Sequence, residues 1–350
     1  MTAPLGFGIV GAGVIARTHA GAIASLPGAR LRAIADIDTA QSERLALVFG
    51  VDAASGIDTV LDRRDIDVVC VCVPSGLHAE VGIRAAGAGK HVVVEKPIDV
   101  SLEAADRLIA ACRRNGVVLS VISQRRYDPG VQRLREAIVA GRLGHLVLAD
   151  AAVKWFRSQQ YYESAAWRGT WDLDGGGALM NQGIHSVDLV RWLMGPVESV
   201  VGRVATVAHD IPVEDLAVAL LRFASGAMGV IEASTAAYPG FAERLEVMGT
   251  GGSVVLEGGE VLGWQLSDEG GDPGHYGRLV RLHAAPPPSG NVSGHAAQLR
   301  DVVEAIERGR EPAITGEDGR AALELVLAVY ASARRGEEVA LPLEPVRASS

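Results

Sequence analysis

The chain has 350 residues, 48% apolar and 21% charged, and its 33 Lys and Arg against 42 Asp and Glu leave a formal charge of −9. That length exceeds what one hydrophobic core usually serves, so two domains are expected. The charge excludes a broad nucleic-acid surface, which needs clustered cations, and favours a small-molecule partner.

Residues Met1 to Pro4 lead straight into a strand-like segment with no leader pattern, and no window suits a bilayer span, so cytoplasm without membrane association is expected. Cys70, Cys72 and Cys112 are odd in number and lack metal-ligand spacing, which implies buried reduced thiols and no metal centre.

In chain order, "LGFGIV" (5–10), "LRAIAD" (31–36), "DVVCVCV" (67–73), "HVVVE" (91–95) and "GVVLSVI" (116–122) are continuous apolar runs. Strands buried on both faces of a parallel sheet have this character. Ala-rich amphipathic segments at 14–26, 77–89 and 101–115 separate some of them, and the last opens with a Ser cap at "SLEAA". The pattern is βαβ repetition and implies an α/β Rossmann domain, a doubly wound parallel sheet over residues 1–123.

From about residue 145 the pattern alternates: "LVLADAAVKW", "VESVVGRVATV", "DLAVALLRF", "AMGVIEAS" and "RLEVMGTGGSVVLEG" read as a mostly antiparallel sheet with one covered face. One long helix is expected at 178–194, a surface loop at 264–294, and two helices at 295–309 and 317–335. Residues 124–350 therefore form an α+β substrate-binding and oligomerisation domain, whose last helices could return to the first.

"GIVGAGVIA" (8–16) places G-x-G-x-x-A at Gly11, Gly13 and Ala16 between a strand and a helix that opens with Val14 and Ile15. Small residues there allow a tight turn and a pyrophosphate on the helix N-terminus. Asp36 ends the next strand, where an acid accepts from the adenosine ribose and repels a 2′-phosphate, so NAD is expected over NADP. An Asp that merely ends a strand is the alternative, and "ADID" leaves Asp38 as a further candidate for this contact. Loops at the carboxyl ends of the strands should also touch the cofactor, which brings in Pro74, Ser75 and His78, with His78 equally suited to capping a helix. "EKP" (95–97) sits at the next such edge, presenting Glu95 and Lys96 beside Pro97.

On the expected helix at 178–194, Asn181, His185, Asp188 and Trp192 form one polar stripe. His185 suits proton exchange near neutral pH, with Asp188 orienting it; a core histidine satisfied by Asp188 is the rival reading.

Together these segments resemble the glucose-fructose oxidoreductase / inositol dehydrogenase family, Gfo/Idh/MocA. The resemblance is carried by "GIVGAGVIARTHA", "ADID", "VPSGLH", "EKP", "SQRRYDP", "WRGTWDLDGGGALMNQGIHSVDL", "GHAAQLRDVVEAI" and "PAITGEDGRAALEL". It implies a Rossmann domain followed by a mostly antiparallel α/β domain, an NAD(P) cofactor, and homodimers or homotetramers paired through the open sheet. Lys96 matches the family's catalytic lysine and His185 its catalytic histidine. Asn181 stands where many polyol dehydrogenases of the family carry Asp, so it can position substrate but cannot take a proton.

The resemblance further implies that Trp167 and Arg168 approach cofactor or substrate, that Gln124 lies near the nicotinamide, and that Arg126 and Trp155 contact substrate. The expected function is NAD-dependent hydride transfer to or from a carbinol carbon of a sugar, sugar derivative or cyclitol. An NAD-dependent glycosidase with internal redox, and a non-catalytic dinucleotide or sugar sensor, are the alternatives.

Overall fold

In a computed structural model the described residues are 3–270 and 292–343. They divide into two compact units. The first takes the described residues up to Gln124, together with 172–175 and 292–320; the second takes 125–171, 176–270 and 321–343.

The first unit begins β1 (Leu5–Val10), α1 (Val14–Ala24), β2 (Ala29–Ala35), α2 (Thr39–Phe49), β3 (Asp52–Ala54) and α3 (Ile57–Leu61). It continues with β4 (Val68–Val71), α4 (His78–Gly87), β5 (His91–Val94), α5 (Leu102–Asn115) and β6 (Leu119–Val121). The six strands are all parallel in the order β3-β2-β1-β4-β5-β6. Successive strands are therefore added to one side of β1 up to β3 and to its other side from β4 onward, and a crevice opens outside the carboxyl ends of β1 and β4.

Residues 68–71 and 92–94 are wholly buried, which is why these runs do not alternate. Helix α9 (Val292–Arg308) completes this core, placing Leu299, Val302 and Val303 with Phe7, Ile9, Ala20 and Ile23. The three cysteines are free and buried, and burial pushes the Cys112 thiol up to about 12.

The second unit holds α6 (Pro129–Val139), β7 (Leu146–Lys154), α7 (Gln159–Glu163) and α8 (Ile184–Met194). The strands β8 (Val197–Ala205), β9 (Leu216–Phe223), β10 (Met228–Ser234), β11 (Arg244–Gly249), β12 (Gly252–Glu257) and β13 (Glu260–Leu266) follow. Helix α10 (Gly316–Arg335) and β14 (Val339–Ala340) close it, the first turn of α10 falling in the first unit. The sheet order is β13-β12-β11-β7-β10-β9-β8-β14, antiparallel apart from the β7–β10 pair. Helix α8 packs on β7, and alternate residues of β9 are buried, leaving Val218 and Leu220 exposed on the other face.

Several expectations need correction. The helix at 178–194 is not uniform: Ala178–Gly183 winds as a π-helix and only then tightens into α8. The expected loop at 264–294 starts too early, because β13 runs to Leu266 and a 3-10 turn follows at Ser267–Glu269; residues 271–291 lie outside the described residues. Helix α2 went unread although Asp38 is its N-cap, its side chain accepting from Ala40 N–H at 3.1 Å. Among the described residues no helix is long and apolar enough to cross a membrane.

Candidate active site

In the first unit the turn after β1 requires glycine at Gly11. Its φ is +97°, and a Cβ there would stand 2.4 Å from the Cys72 carbonyl oxygen. Gly13 caps α1 without a side-chain hydrogen bond, no acid occupies the first turn, and nothing lies within 4 Å of where its Cβ would be. Bare N–H groups with open space in front of them fit a pyrophosphate. Val14, the first residue of the helix, is 87% exposed, and Ile15 is half-buried beside it.

Asp36 braces this turn: Oδ2 accepts from Ala12 N–H at 2.6 Å and Oδ1 from Asp38 N–H at 2.8 Å. Its carboxylate is thereby held at the carboxyl end of β2 with further acceptor capacity.

The loops after β4 and β5 are clasped together. Pro74 precedes a 3-10 turn that starts at the buried Ser75. The buried His78 ring lies 2.9 Å from the Val73 carbonyl oxygen through Nε2 and 2.7 Å from that of Pro97 through Nδ1. Burial pushes its pKa down, only partly offset by the two carbonyls. Asp99 Oδ2 accepts from Ala79 N–H at 2.9 Å, a second tie between the same loops. His78 therefore binds loop to loop, a role that neither capping nor chemistry anticipated.

Glu95 is buried and accepts from His19 Nε2 at 2.7 Å and from His295 Nε2 at 3.4 Å. Burial alone would raise its pKa, but these bonds outweigh it and hold the carboxyl well below its usual range. Burial keeps His19 below its ordinary value as well, and its Nδ1 has no partner, as expected of a neutral ring donating through Nε2. The three groups are also close enough to hold a metal ion, and the 2.7 Å between His19 and Glu95 lies within the range of a direct N–H···O bond.

Glu95 Oε2 also accepts from the Lys96 backbone N–H at 3.2 Å. Lys96 is thus half-buried between an anchored acid and Pro97, and the Lys96–Pro97 peptide is cis. Sequence reading missed His19 and His295; the available signal was a histidine on the apolar face of each helix. At the end of this unit, Gln124 Oε1 is buried with no hydrogen-bond partner among the described residues.

In the second unit the expected polar stripe divides. Asp188 does not orient His185: both its oxygens are taken by Arg126, Nε to Oδ2 at 2.8 Å and Nη2 to Oδ1 at 2.5 Å. Arg126, expected at the substrate, is instead buried in that pair and stacked 5.2 Å from the Trp192 ring.

His185 lines a small cavity with Trp155, Gln182, Ser186, Arg125 and Glu243, so two of the expected substrate residues share one wall. Asn181 lies half-buried in the π-helical turn just before it, and such turns recur at functional sites. Trp167 and Arg168 belong to this unit too, with the Arg168 guanidinium 4.5 Å from the Trp167 ring.

Residues 5–123 match the oxidoreductase family with an NAD-binding Rossmann fold, and residues 131–255 match the GFO/IDH/MocA C-terminal domain. The chain is 30% identical to an inositol 2-dehydrogenase of Rhizobium meliloti over 96% of this chain and 98% of that protein. The structure resembles the WlbA dehydrogenase of Bordetella pertussis, solved with NADH and UDP-GlcNAcA, with TM-score 0.86, 35% identity and coverage of 97% and 100%. A levoglucosan dehydrogenase solved with NADH and L-sorbose superposes with TM-score 0.88 at 25% identity, covering 98% and 100%. With both halves matched and the relatives aligned over nearly their whole length, the chain belongs to the Gfo/Idh/MocA family of NAD-binding oxidoreductases.

Proposed function

We propose that the protein moves a hydride between NAD and a carbinol carbon of a sugar, sugar derivative or cyclitol. Bound NAD supplies the hydride acceptor or donor. The observation that carries the reading is His185, half-buried in the wall of a cavity that Trp155 and Gln182 also line. A half-buried imidazole in a cavity wall suits proton exchange better than packing.

In the oxidative direction Lys96 holds the substrate oxygen and offsets its developing negative charge, and His185 takes the hydroxyl proton. Asn181 positions the substrate hydroxyls without taking a proton. Reduction runs the same proton back from His185.

On the cofactor side, Gly11, Gly13, Val14 and Ile15 would receive the pyrophosphate, and Asp36 the adenosine ribose, favouring NAD over NADP. Pro74, Ser75, Glu95, Lys96 and Gln124 would line the rest, with the unpartnered Gln124 oxygen suited to an amide N–H. His78 acts indirectly, by fixing the loops. The relatives' names, an inositol dehydrogenase and a dehydrogenase solved with a UDP-sugar, support a polyhydroxylated ring as substrate. A homodimer or homotetramer would form through the open face of the second sheet.

The test is turnover by Lys96→Ala and His185→Ala on a panel of polyols, sugar acids and sugar nucleotides. Each should lose about a hundredfold or more in kcat, the usual contribution of a positioned acid or base. Near-normal turnover in both variants would overturn the assignment.

A further inference from the structure

Beyond His185 and Asn181, the second unit carries two guanidinium groups gathered on one aromatic ring. Arg157 and Arg168 flank one ring: their Cζ atoms stand 5.2 Å and 4.5 Å from the Tyr161 centroid. Each also rests on a tryptophan, Arg157 on Trp155 at 5.2 Å and Arg168 on Trp167 at 4.5 Å. Neither forms an ion pair with an acid among the described residues, whereas Arg126 and Arg142 of the same unit do. The Nε of each is buried and unpartnered. Arg157 Nη1 donates only to the Phe156 carbonyl at 3.2 Å, and Arg168 Nη1 to the Tyr161 hydroxyl at 2.8 Å.

The arrangement is built, not incidental. The Arg157 backbone is pinned on both sides, its N–H donating to the Thr235 carbonyl at 2.8 Å and its carbonyl lying 2.9 Å from His209 Nε2. His209 is itself held by Asp215 at 2.9 Å. The Tyr161 hydroxyl also accepts from Gln182 Nε2 at 3.3 Å, and Gln182 and Trp155 line the cavity that His185 faces. Two like charges sharing one aromatic ring, in a chain of net charge −9, repel each other until an anion joins them. Stacked, planar and retaining unused N–H groups, they offer the fork that carboxylates and phosphates bind.

We propose that Arg157 and Arg168 form an anion-recognition subsite, so that the substrate carries a carboxylate or phosphate beside its reacting sugar ring. This rests on the function proposed above and deepens it by naming the substrate class.

The experiment compares glucose, glucuronate, UDP-glucose and UDP-glucuronate, each with NAD, on the full-length protein and its Arg157→Gln, Arg168→Gln and Arg168→Lys variants. Binding is followed by calorimetry and turnover by NADH absorbance. Anionic ligands should bind the native protein at least about tenfold more tightly than glucose, as charge-assisted hydrogen bonds allow. Each Gln variant should raise KM about tenfold or more with kcat changed less than about threefold, and Arg168→Lys should restore part of the loss. Glucuronate against UDP-glucose separates the carboxylate from the phosphate.

Binding by the native protein alone, across rising salt, tests the idea without any variant: affinity for the anions should fall and that for glucose should not. Equal affinity for neutral and anionic ligands overturns the proposal. So does a KM change confined to NAD. If the Gln variants lose anion binding while Lys96→Ala and His185→Ala turn over normally, the subsite stands and the hydride-transfer roles fall. If those two variants lose kcat but bind anions like the native protein, both stand.

Discussion

Asp188 and Arg126 meet through two parallel hydrogen bonds, 2.8 Å and 2.5 Å, with both side chains about 3–4% exposed. A pair so placed resists loss of one member, because the survivor is a buried charge without a counter-ion. Asp188→Ala should cost about 3–5 kcal/mol of stability. Arg126→Met with Asp188→Leu should cost much less, since an apolar pair leaves no orphan charge. Urea unfolding of the three proteins decides it; equal losses in the single and double variants would refute the pair's role.

Acid should weaken the fold in two stages. His19 and His78 are kept below their ordinary value by burial, so the unfolded chain takes up protons first as pH falls. Stability should be flat above the unfolded histidine pKa of about 6.5 and decline below it. Glu95, held low by its histidines, adds a loss that begins only below the unfolded carboxyl value of about 4.3. His19→Asn should flatten the slope of melting temperature against pH between about 7 and 5.

Restoring an acid at position 181 should change the pH profile more than the fold. In Asn181→Asp a carboxylate one turn before His185 would favour the imidazolium. A general base must be neutral, so the acidic limb of kcat/KM should move up by about one pH unit. An unmoved limb would show that His185 is not the group titrating there.

Asp36→Ser should do two things at once. Loss of the acceptor for Ala12 N–H loosens the glycine turn and raises KM for NAD. Loss of the negative charge relaxes rejection of a 2′-phosphate, shifting the NADP-to-NAD ratio of kcat/KM by about tenfold or more. Steady-state kinetics with both cofactors measures each effect.

On the open face of the second sheet, Val218, Leu220, Leu148 and Met228 are 41%, 51%, 38% and 58% exposed. Apolar side chains gathered on one sheet face suit association between copies. Leu220→Glu with Met228→Glu should lower the mass seen by light scattering to that of one chain while leaving the circular dichroism unchanged. An unchanged mass would place any interface elsewhere.

Much of the first unit was legible because parallel strands buried on both faces leave unbroken apolar runs, as at 68–71 and 92–94. Helix α2 escaped because its exposed Leu47 and Val48 blur the amphipathic period that marks a helix. Lys96 and His185 could be singled out as candidates, since each sits in a compact local motif that carries the family resemblance. The partners could not: Arg126 lies 62 residues from Asp188, and His295 lies 200 from Glu95. Such pairings are set by tertiary packing. The π-helical turn at 178–183 was equally hidden, because one widened turn leaves the apolar pattern almost unchanged.

The His78–Pro97 and Ala79–Asp99 ties mean that the seat of Lys96 is settled while the chain folds, ahead of any ligand. Ligand arrival then carries little ordering cost for that loop. Loosening it, for instance by Asp99→Ala, should slow the reaction through its activation entropy, with the enthalpy of activation nearly intact.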